Sequence, residues 1–275
     1  MNIRRKSILY WILSLLLMLS FSIYQRLTGP TKPMYGSVSF QNNEISYKLI
    51  RTWGGDSPAR IEIKNSNSEL AGYYYYKRFK SYDEWDTLSM LRDGDLLIAE
   101  LPQLPPAGKM MYHIVLLDEF KEVLLNKEPA VLRYKGHVPL LILIPHIIFM
   151  FLAMLLSMRT GFEALFIRKN TYVFTILTLA FLFVGGLILG PIVQKYAFGA
   201  YWTGWPLGHD LTDNKTVFAF VFWLIAFFVL RKNRQKRFWP VFAAAMLLAV
   251  YLVPHSVLGS EIDYTAENQI IETQE

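Results

Sequence analysis

The stretch TVFAFVFWLIAFFVLRKNRQKRFWPVFAAAMLLAVYLVPHSV, residues 216–257, decides the fold class of this chain. It contains two apolar runs, Thr216–Leu230 and Phe238–Val257, and the basic tract Arg231–Arg237 separates them. Apolar runs of about 20 residues are typical of membrane-spanning helices. The first run covers only about 22 Å at 1.5 Å per residue. We therefore expect its helix to begin near Leu211, to thin the bilayer or to lie inside the bundle.

Three further apolar runs bring the predicted number of spans to about five. They are Ser7–Tyr24, Val138–Met158 and Tyr172–Val193. Hydrophobic residues make up 53% of the chain and charged residues 18%, which is too apolar for an ordinary soluble protein. Bulky residues follow the first run where a cleavage site would need small ones, so this run is predicted to be an uncleaved anchor.

The distribution of charge predicts the orientation in the membrane. The N-terminus, the loop 159–170 and the tract 231–237 together hold 11 of the 28 Lys and Arg residues but only one of the 22 acids. Cytoplasmic loops carry an excess of basic residues. The sequence therefore predicts a cytoplasmic N-terminus, with residues 25–137 and the C-terminus outside, in the inner membrane of a bacterium.

Composition and motifs exclude several classes of function. The chain has no cysteine, which excludes disulfides, thiolate metal sites and cysteine nucleophiles. No stretch resembles a nucleic-acid-binding motif, and no P-loop, Gly-x-Ser-x-Gly or His-Glu-x-x-His motif is present. Apart from His146, the predicted spans contain no ionisable group of the kind that ion-coupled transporters need. We expect no catalysis and no nucleic-acid partner.

Residues 35–135 have the pattern of an all-β domain. Short alternating runs recur every eight to twelve residues between turn clusters: Ser37–Phe40, Glu44–Ile50, Ala59–Lys64, Gly72–Lys80, Asp95–Leu101, Met110–Leu117 and Ala130–Tyr134. This spacing predicts an antiparallel sandwich of about seven strands. Alternate side chains of a strand face opposite sides, so Tyr73 and Tyr75 should lie on one face and Tyr74 and Tyr76 on the other.

One part of this domain resembles a known family. In LPQLPPAGKMMYHIVLL, Leu101–Leu117, a proline-rich turn leads into a strand with Tyr112 near its start. This arrangement is similar to the tyrosine corner of immunoglobulin-like and fibronectin type III domains. The Cys-Trp-Cys core of true immunoglobulin domains is absent, so the fibronectin-like variant is closer. The resemblance implies a binding or scaffold domain. The whole layout also looks like uncharacterised bacterial multi-span proteins with an external β-sandwich.

The segment GPIVQKYAFGAYWTGWPLGHDLTDNK, Gly190–Lys215, combines aromatic, glycine, histidine and acidic residues on the predicted outer side. Trp and Tyr are enriched at membrane interfaces, so an aromatic belt is one interpretation. Residues 198–205, FGAYWTGW, also resemble the tryptophan-rich external loop of haem-handling proteins of cytochrome c assembly. That family has more spans, and its loop has an Asp where this chain has Pro206.

The resemblance implies a cofactor site at the outer face. Trp202 and Trp205 would form its apolar shelf, and outer histidines would ligate haem. His137 and His255 match in depth, because they begin the second span and end the fifth. His146 lies inside a span, where an ionisable residue is a functional candidate. Its alternative role is a hydrogen bond to a neighbouring helix.

A transition-metal site is a second possibility in the same segment. Imidazole and carboxylate groups suit zinc, manganese or iron, and His209, Asp210 and Asp213 offer such groups in close sequence. The alternative, which we favour, is that Asp210 and Asp213 cap the helix that follows. The tail His255–Tyr264 either contributes to this site or folds back beneath the sandwich.

The sequence thus predicts an α-helical membrane bundle with an inserted sandwich domain of the immunoglobulin or fibronectin III type. The expected parts are an anchor at 1–28, the sandwich at 34–136, a four-helix bundle at 137–258 with its Trp-rich outer loop at 194–215, and an external tail at 259–275. The expected function is to present a binding or scaffold domain outside the membrane, with the lipid bilayer and another envelope protein as partners. Haem or metal binding, in cytochrome c assembly or electron transfer, is the alternative.

Overall fold

The computed structural model describes residues 3–40, 43–65, 67, 69–117, 121–254 and 259–266. They form two compact units, each built from two separate parts of the chain. The helical unit combines the segment up to Pro30 with Val138–Gly259, and the β unit combines Thr31–His137 with the segment from Ser260 onward. The predicted combination of apolar helices and an inserted β region is confirmed.

The helical unit contains six α-helices: α1 (Ile3–Thr28), α2 (Leu140–Phe162), α3 (Thr171–Leu182), α4 (Gly190–Phe198), α5 (Leu211–Lys232) and α6 (Phe238–Leu252). Two π-helical segments extend them: π1 (Glu163–Ile167) continues α2, and π2 (Phe183–Leu189) joins α3 to α4. In the part of the chain that the structure describes, four helices are long and apolar enough to cross a membrane, namely 3–28, 140–167, 171–198 and 211–232. The apolar helix α6 is shorter, with 15 residues.

Two predicted helix ends are wrong. The second helix does not stop at Met158 but runs through π1 to Ile167. The third does not end at Val193, where its apolar run stops, but continues to Phe198. Pro191 lies in the first turn of α4, where proline is common, and the π2 segment precedes it. Of the three alternatives for the short run that starts at Thr216, a helix that begins at Leu211 is the one observed.

Small residues let the helices of this unit approach closely. A Cβ atom on Gly185 would lie 2.9 Å from the Cβ of Phe149, and one on Gly186 would lie 2.6 Å from Thr216 Cγ2. Trp223 is fully buried among α2, α5 and α6 side chains in the core of the unit. Helix association in lipid depends on this kind of packing.

Among its described residues, the β unit contains eleven strands: β1 (Met34–Phe40), β2 (Asn43–Leu49), β3 (Thr52–Gly54), β4 (Ala59–Lys64), β5 (Ala71–Arg78), β6 (Asp86–Ser89), β7 (Leu91–Asp93), β8 (Leu96–Leu101), β9 (Lys109–Leu117), β10 (Glu122–Leu124) and β11 (Ala130–Lys135). One sheet has the order β3-β11-β9-β5-β6, with β10 also paired to β9, and a second has the order β4-β8-β7. β1 and β2 form a hairpin. All pairs are antiparallel except β3 with β11.

All seven predicted strands are present, and the four additional strands have three or four residues each. Side chains from both sheets and from the hairpin fill one core, among them Phe40, Ile61, Tyr112 and Leu132. The predicted alternation in β5 is confirmed, because Tyr74 is buried and stacks on Tyr76, whereas Tyr75 packs against Trp85 and His113 on the other face.

Tyr112 forms a buried hydrogen bond to the backbone, as the tyrosine of a tyrosine corner does, although its partner is distant in sequence. The side chain is 0% exposed, and its hydroxyl donates to the carbonyl oxygen of Ile50 at 2.7 Å. Burial raises the pKa of Tyr112 well above its usual range. Ile50 lies 62 positions upstream, whereas a tyrosine corner bonds to the backbone a few residues away. The bond therefore ties the β2–β3 connection to β9.

Residues 260–266 return to the β unit. The N–H of Ile262 donates to the carbonyl oxygen of Ala107 at 3.4 Å, and the N–H of Tyr264 donates to that of Lys80 at 3.0 Å. The Tyr264 side chain is 4% exposed, and the guanidinium carbon of Arg78 lies 4.4 Å from its ring centre. This outcome confirms the alternative in which the tail folds back onto the β domain.

Glu261 adds an electrostatic contact to this docked segment, because its carboxylate forms ion pairs with Lys80 and Lys109. Burial alone would raise the pKa of Glu261, but hydrogen bonds from the two lysines outweigh burial and lower it. The hydrogen bond that Lys80 donates to Glu261 raises the pKa of Lys80. The pKa of Lys109 is lowered instead, because that side chain is more buried and desolvation outweighs the ion pair.

Candidate functional site

The loop between α4 and α5 is organised by Asp213, which lies in the first turn of α5. Its Oδ2 accepts hydrogen bonds from the N–H groups of Thr203 at 2.8 Å and Gly204 at 2.9 Å. The Gln194 side chain donates to the same oxygen at 3.1 Å. Asp213 is only 7% exposed. Its carboxylate therefore satisfies buried donors of the loop, as buried polar groups require.

Asp210 is the N-cap of α5, which confirms the capping interpretation for this residue. Its Oδ1 accepts from the N–H of Thr212 at 2.7 Å, and its Oδ2 accepts from the Thr203 hydroxyl at 3.3 Å. The Gln194 side chain donates to the Thr203 hydroxyl at 2.6 Å. Thr203 thus lies between the two carboxylates and joins α4, the loop and α5.

Two glycines of the loop are explained by close contacts within it, and the third by its backbone. A Cβ atom on Gly204 would lie 2.6 Å from the Cβ of Asp213. One on Gly208 would lie 2.3 Å from the carbonyl oxygen of Thr203. Such distances are too short for any side chain, whereas Gly199 has free space around it and ends α4 in the left-handed region, with φ of 86°.

The two loop tryptophans occupy different environments. Trp202 is half-buried, and its indole N–H donates to the carbonyl oxygen of Trp205 at 3.2 Å. The side chains of Trp205 and Leu207 are 76% and 77% exposed. The backbone of Trp205 is nevertheless fixed, because its N–H donates to the Asn214 side chain at 2.6 Å. The loop therefore presents an apolar tip on a hydrogen-bonded base, which suits an interfacial position.

The histidines of the predicted cofactor site have separate surroundings. His209 is exposed in the same loop, and His137 is exposed at the end of the β unit. His255 lies outside the described residues. His146 is half-buried with its Nδ1 at 2.9 Å from the carbonyl oxygen of Gly185. Because a carbonyl only accepts, Nδ1 carries the proton, and His146 makes the helix-to-helix bond that was its alternative role.

The structure does not assemble the predicted metal ligands. Asp210 and Asp213 both approach Thr203, but they do so as acceptors of protein hydrogen bonds, and His209 does not join them in a ligand set. Among the described residues, no three His, Asp or Glu side chains are grouped so that they could hold a metal ion. Haem or metal binding through His255 stays a prediction.

A buried ion pair at the end of α2 was missed by the sequence analysis. Arg159 Nη1 lies 2.8 Å from Glu163 Oε2, and the two side chains are 2% and 1% exposed. The other oxygen of Glu163 accepts from the N–H groups of Lys169 at 2.9 Å and Asn170 at 2.7 Å. These bonds close the turn between π1 and α3. The carboxylate therefore ends one helix and positions the next.

The guanidinium of Arg159 is enclosed by aromatic and polar groups from two other helices. It lies 5.3 Å from the ring centre of Trp11 and 4.9 Å from that of Phe174. Its Nη2 donates to the Ser7 hydroxyl at 3.1 Å. Arg159 thereby links α1, α2 and α3. The signal in the sequence was the spacing of Arg159 and Glu163 at i and i+4, which places both on one helix face.

The β unit exposes an apolar segment along one edge. Residues 86–93 supply β6 to one sheet and β7 to the other, and every residue of both strands is exposed. In the described part of the β unit, β6 pairs only with β5, and β7 pairs only with β8. Four large apolar side chains in and just before these strands are exposed: Tyr82 at 66%, Trp85 at 39%, Leu88 at 44% and Leu91 at 61%. We name residues 82–93 the edge segment.

A groove of about 260 Å³ lies beside the edge segment, lined by side chains that include Tyr76, Arg78, Asp83, Trp85 and Met110. Arg78 and Asp83 form a two-pronged ion pair there, with both N–O distances 2.8 Å. Hydrogen bonds from Arg78 lower the pKa of Asp83. Tyr76 donates to Asp86 at 3.1 Å, and burial with this contact raises the pKa of Tyr76 to about 12. Hydrogen bonds thus hold the polar side chains of the groove in place, and apolar side chains lie at its edge.

Comparison of this chain with protein-family models, with curated proteins and with solved structures finds no match. The function must therefore be inferred from the geometry of the two units.

Proposed function

We propose that this chain is a five-span protein of the bacterial inner membrane that presents a fibronectin-like β-sandwich outside the membrane as a binding module. The observation that carries this proposal is the edge segment. It combines unpaired strand edges with four exposed apolar side chains on a domain that has its own buried core. Monomeric proteins rarely leave such surfaces uncovered unless a partner binds there.

The segment that begins at Ser260 packs on the β unit again, which supports an even number of membrane crossings between His137 and Ser260. The β unit ends at His137, and Ser260 begins the segment that packs on it again. Both ends of the intervening chain therefore lie on the same side of the membrane. The helices 140–167, 171–198 and 211–232 would give three crossings, so α6 must make the fourth despite its 15 residues.

The basic residues support the orientation of this arrangement. The tract 231–237 lies between α5 and α6, and Arg168 and Lys169 lie between π1 and α3. Both connections are on the side opposite the β unit in a five-span topology. An excess of Lys and Arg marks the cytoplasmic side, which leaves the β unit and the outer loop outside.

Labelling of single cysteines tests this topology. The chain has no cysteine of its own, so Ser57→Cys, Leu207→Cys and Asn233→Cys each provide one exposed thiol. In intact cells, an impermeant maleimide should label the first two variants and not the third. After the cells are broken, all three should react. Labelling of Asn233→Cys in intact cells would refute the orientation.

The edge segment indicates how a partner would bind. An extended peptide adds to an unpaired strand edge through backbone hydrogen bonds, and side-chain contacts supply specificity. Leu88 in β6 and Leu91 in β7 lie at such edges, while Trp85 forms part of the groove wall. We therefore expect the partner to be an envelope protein with an extended, partly apolar segment.

Photo-crosslinking in intact cells tests this binding mode. A photoreactive residue at Leu91 should give a discrete adduct, and the added substitution Leu88→Lys should abolish it, because a charge on the edge opposes pairing and apolar contact. The matched control is a photoreactive residue at Lys64, which is exposed in β4 of the same sheet as β7. An adduct that persists in Leu88→Lys, or that also forms from position 64, would contradict binding at the edge segment.

A further inference from the structure

A groove of about 350 Å³ lies at the end of the helical unit where α2–π1 ends and α6 begins. Its walls include Leu165, Arg168, Gln235, Arg237, Phe238 and Val241. The segment π1 packs directly against α6 at this point. The groove is therefore formed at the boundary where apolar spans give way to basic connections.

Two arginines give this groove a positive wall. Arg168 follows π1 in the left-handed backbone region, with φ of 67°, and its Nε donates to the carbonyl oxygen of Leu165 at 3.3 Å. Arg237 precedes α6, and its Nε is buried without a hydrogen-bond partner in the described part of the chain. No acidic side chain among the described residues forms an ion pair with either arginine. A buried guanidinium N–H without an acceptor is costly.

Apart from Gln235, the remaining walls are apolar, and two of their side chains are exposed. Phe238 is 67% exposed and Leu165 is 46% exposed, and both lie next to the arginines in sequence or in space. An arginine fork matches phosphate oxygens in geometry and in charge. A ligand that satisfies both walls therefore carries a phosphate beside a hydrocarbon chain.

The basic tract as a whole does not explain this arrangement. Arg234 is directed elsewhere, since its guanidinium lies 3.2 Å from the ring centre of Tyr172. Lys232 and Lys236 are exposed outside the groove. Non-specific attraction to an anionic membrane would involve all of these charges equally, whereas the groove is lined by Arg168 and Arg237.

We infer that this groove is a binding site for one anionic phospholipid, with its phosphate on Arg168 and Arg237 and its acyl chain along Leu165 and Phe238. Basic pockets between helices at the cytoplasmic side are a known form of lipid recognition. This inference concerns the helical unit and does not depend on the edge segment or its partner.

The test compares two double variants of the full chain in detergent micelles. Arg168→Gln with Arg237→Gln removes two charges from the groove, and Lys232→Gln with Lys236→Gln removes two charges outside it. Phosphatidylglycerol, titrated into the micelles, should raise the melting temperature of the native chain and of the lysine variant. The arginine variant should bind it at least about tenfold more weakly, which corresponds to about 1.4 kcal/mol.

Three further measurements separate the alternatives. Phosphatidylcholine, which has the same acyl chains and no net charge, should leave the melting temperature unchanged. Inorganic phosphate at millimolar concentration should also leave it unchanged, and an equal rise with phosphate alone would overturn the assignment to a lipid. Equal weakening in both double variants would overturn the groove in favour of bulk charge. Without lipid, all three proteins should still melt in a single cooperative transition, which shows that the arginine variant is folded; its affinity for the lipid is compared from its own lipid-free melting temperature.

Discussion

Replacing Arg159 by Met should destabilise the helical unit strongly, because it leaves the Glu163 carboxylate buried without its counter-ion. The two side chains are 2% and 1% exposed, so water cannot replace the missing charge. Loss of one partner from a buried ion pair costs about 3–5 kcal/mol. Loss of the contacts to Trp11 and Phe174 adds to this cost, at about 0.5–2 kcal/mol for a cation over a ring.

The double variant Arg159→Met with Glu163→Gln should recover most of this loss. The glutamine is neutral, and its oxygen can still accept from the N–H groups of Lys169 and Asn170. Replacing a buried ion pair by neutral groups of similar volume is often nearly neutral. We therefore expect the double variant to be more stable than Arg159→Met alone, so that the two substitutions are strongly non-additive.

The assay is reversible unfolding of the purified chain in mixed micelles, by SDS titration with circular dichroism as the readout. Arg231→Met is the matched control, because Arg231 is exposed at the end of α5. Its free energy of unfolding should stay within about 0.5 kcal/mol of the native value. A loss below about 1 kcal/mol for Arg159→Met, or strict additivity in the double variant, would refute the buried pair.

Three further outcomes follow from the two units. Tyr112→Phe should cost about 1–3 kcal/mol in unfolding by urea, because the Ile50 carbonyl loses its buried donor, whereas Tyr35→Phe at a 65% exposed position should change little. The pKa of Glu261 is lowered from 4.5, so its contribution to stability should be present above pH 4.5 and disappear as the pH falls through the folded pKa. Glu261→Gln should flatten this pH dependence of the free energy of unfolding. An unchanged pH dependence in the variant would contradict the ion pairs of Glu261 with Lys80 and Lys109. Purified protein from a host that makes haem should show a haem band or bound metal, lost in His255→Ala, if the cofactor hypothesis holds; colourless, metal-free protein would reject it.

Local patterns in the sequence predicted most of the fold. Continuous apolar runs located every long helix, and alternation located seven strands, because both depend on which residues must be buried. The pattern failed at Gly190-Pro191, which normally ends a helix. There the helix changes from α to π geometry in π2. The N–H of Gly190 donates to the carbonyl oxygen of Gly185, which His146 also contacts. A proline can thus begin a new helical turn within a continuous span.

The sites were less accessible to sequence reasoning because they depend on contacts between distant segments. Arg159 was assigned to a cytoplasmic loop by its charge, but aromatic rings from α1 and α3 enclose it. Asp213 was considered as a metal ligand by its residue type, but the N–H groups of the loop before it occupy one of its oxygens. In both cases the residue type was informative, but the groups that surround the side chain follow from the folded arrangement and not from the residue type.

The docking of residues 260–266 on the β unit also constrains the order of biogenesis. Strands β1 to β11 precede α2 in the chain, yet the segment that contacts Lys80 and Ala107 follows α6. The β unit can therefore complete its packing only after helices α2 to α6 have been synthesised. Until then the contact between Arg78 and Tyr264 is missing, and the surface that residues 260–266 cover stays exposed. That surface would give a protease or chaperone a direct way to distinguish a molecule with the docked segment from one without it.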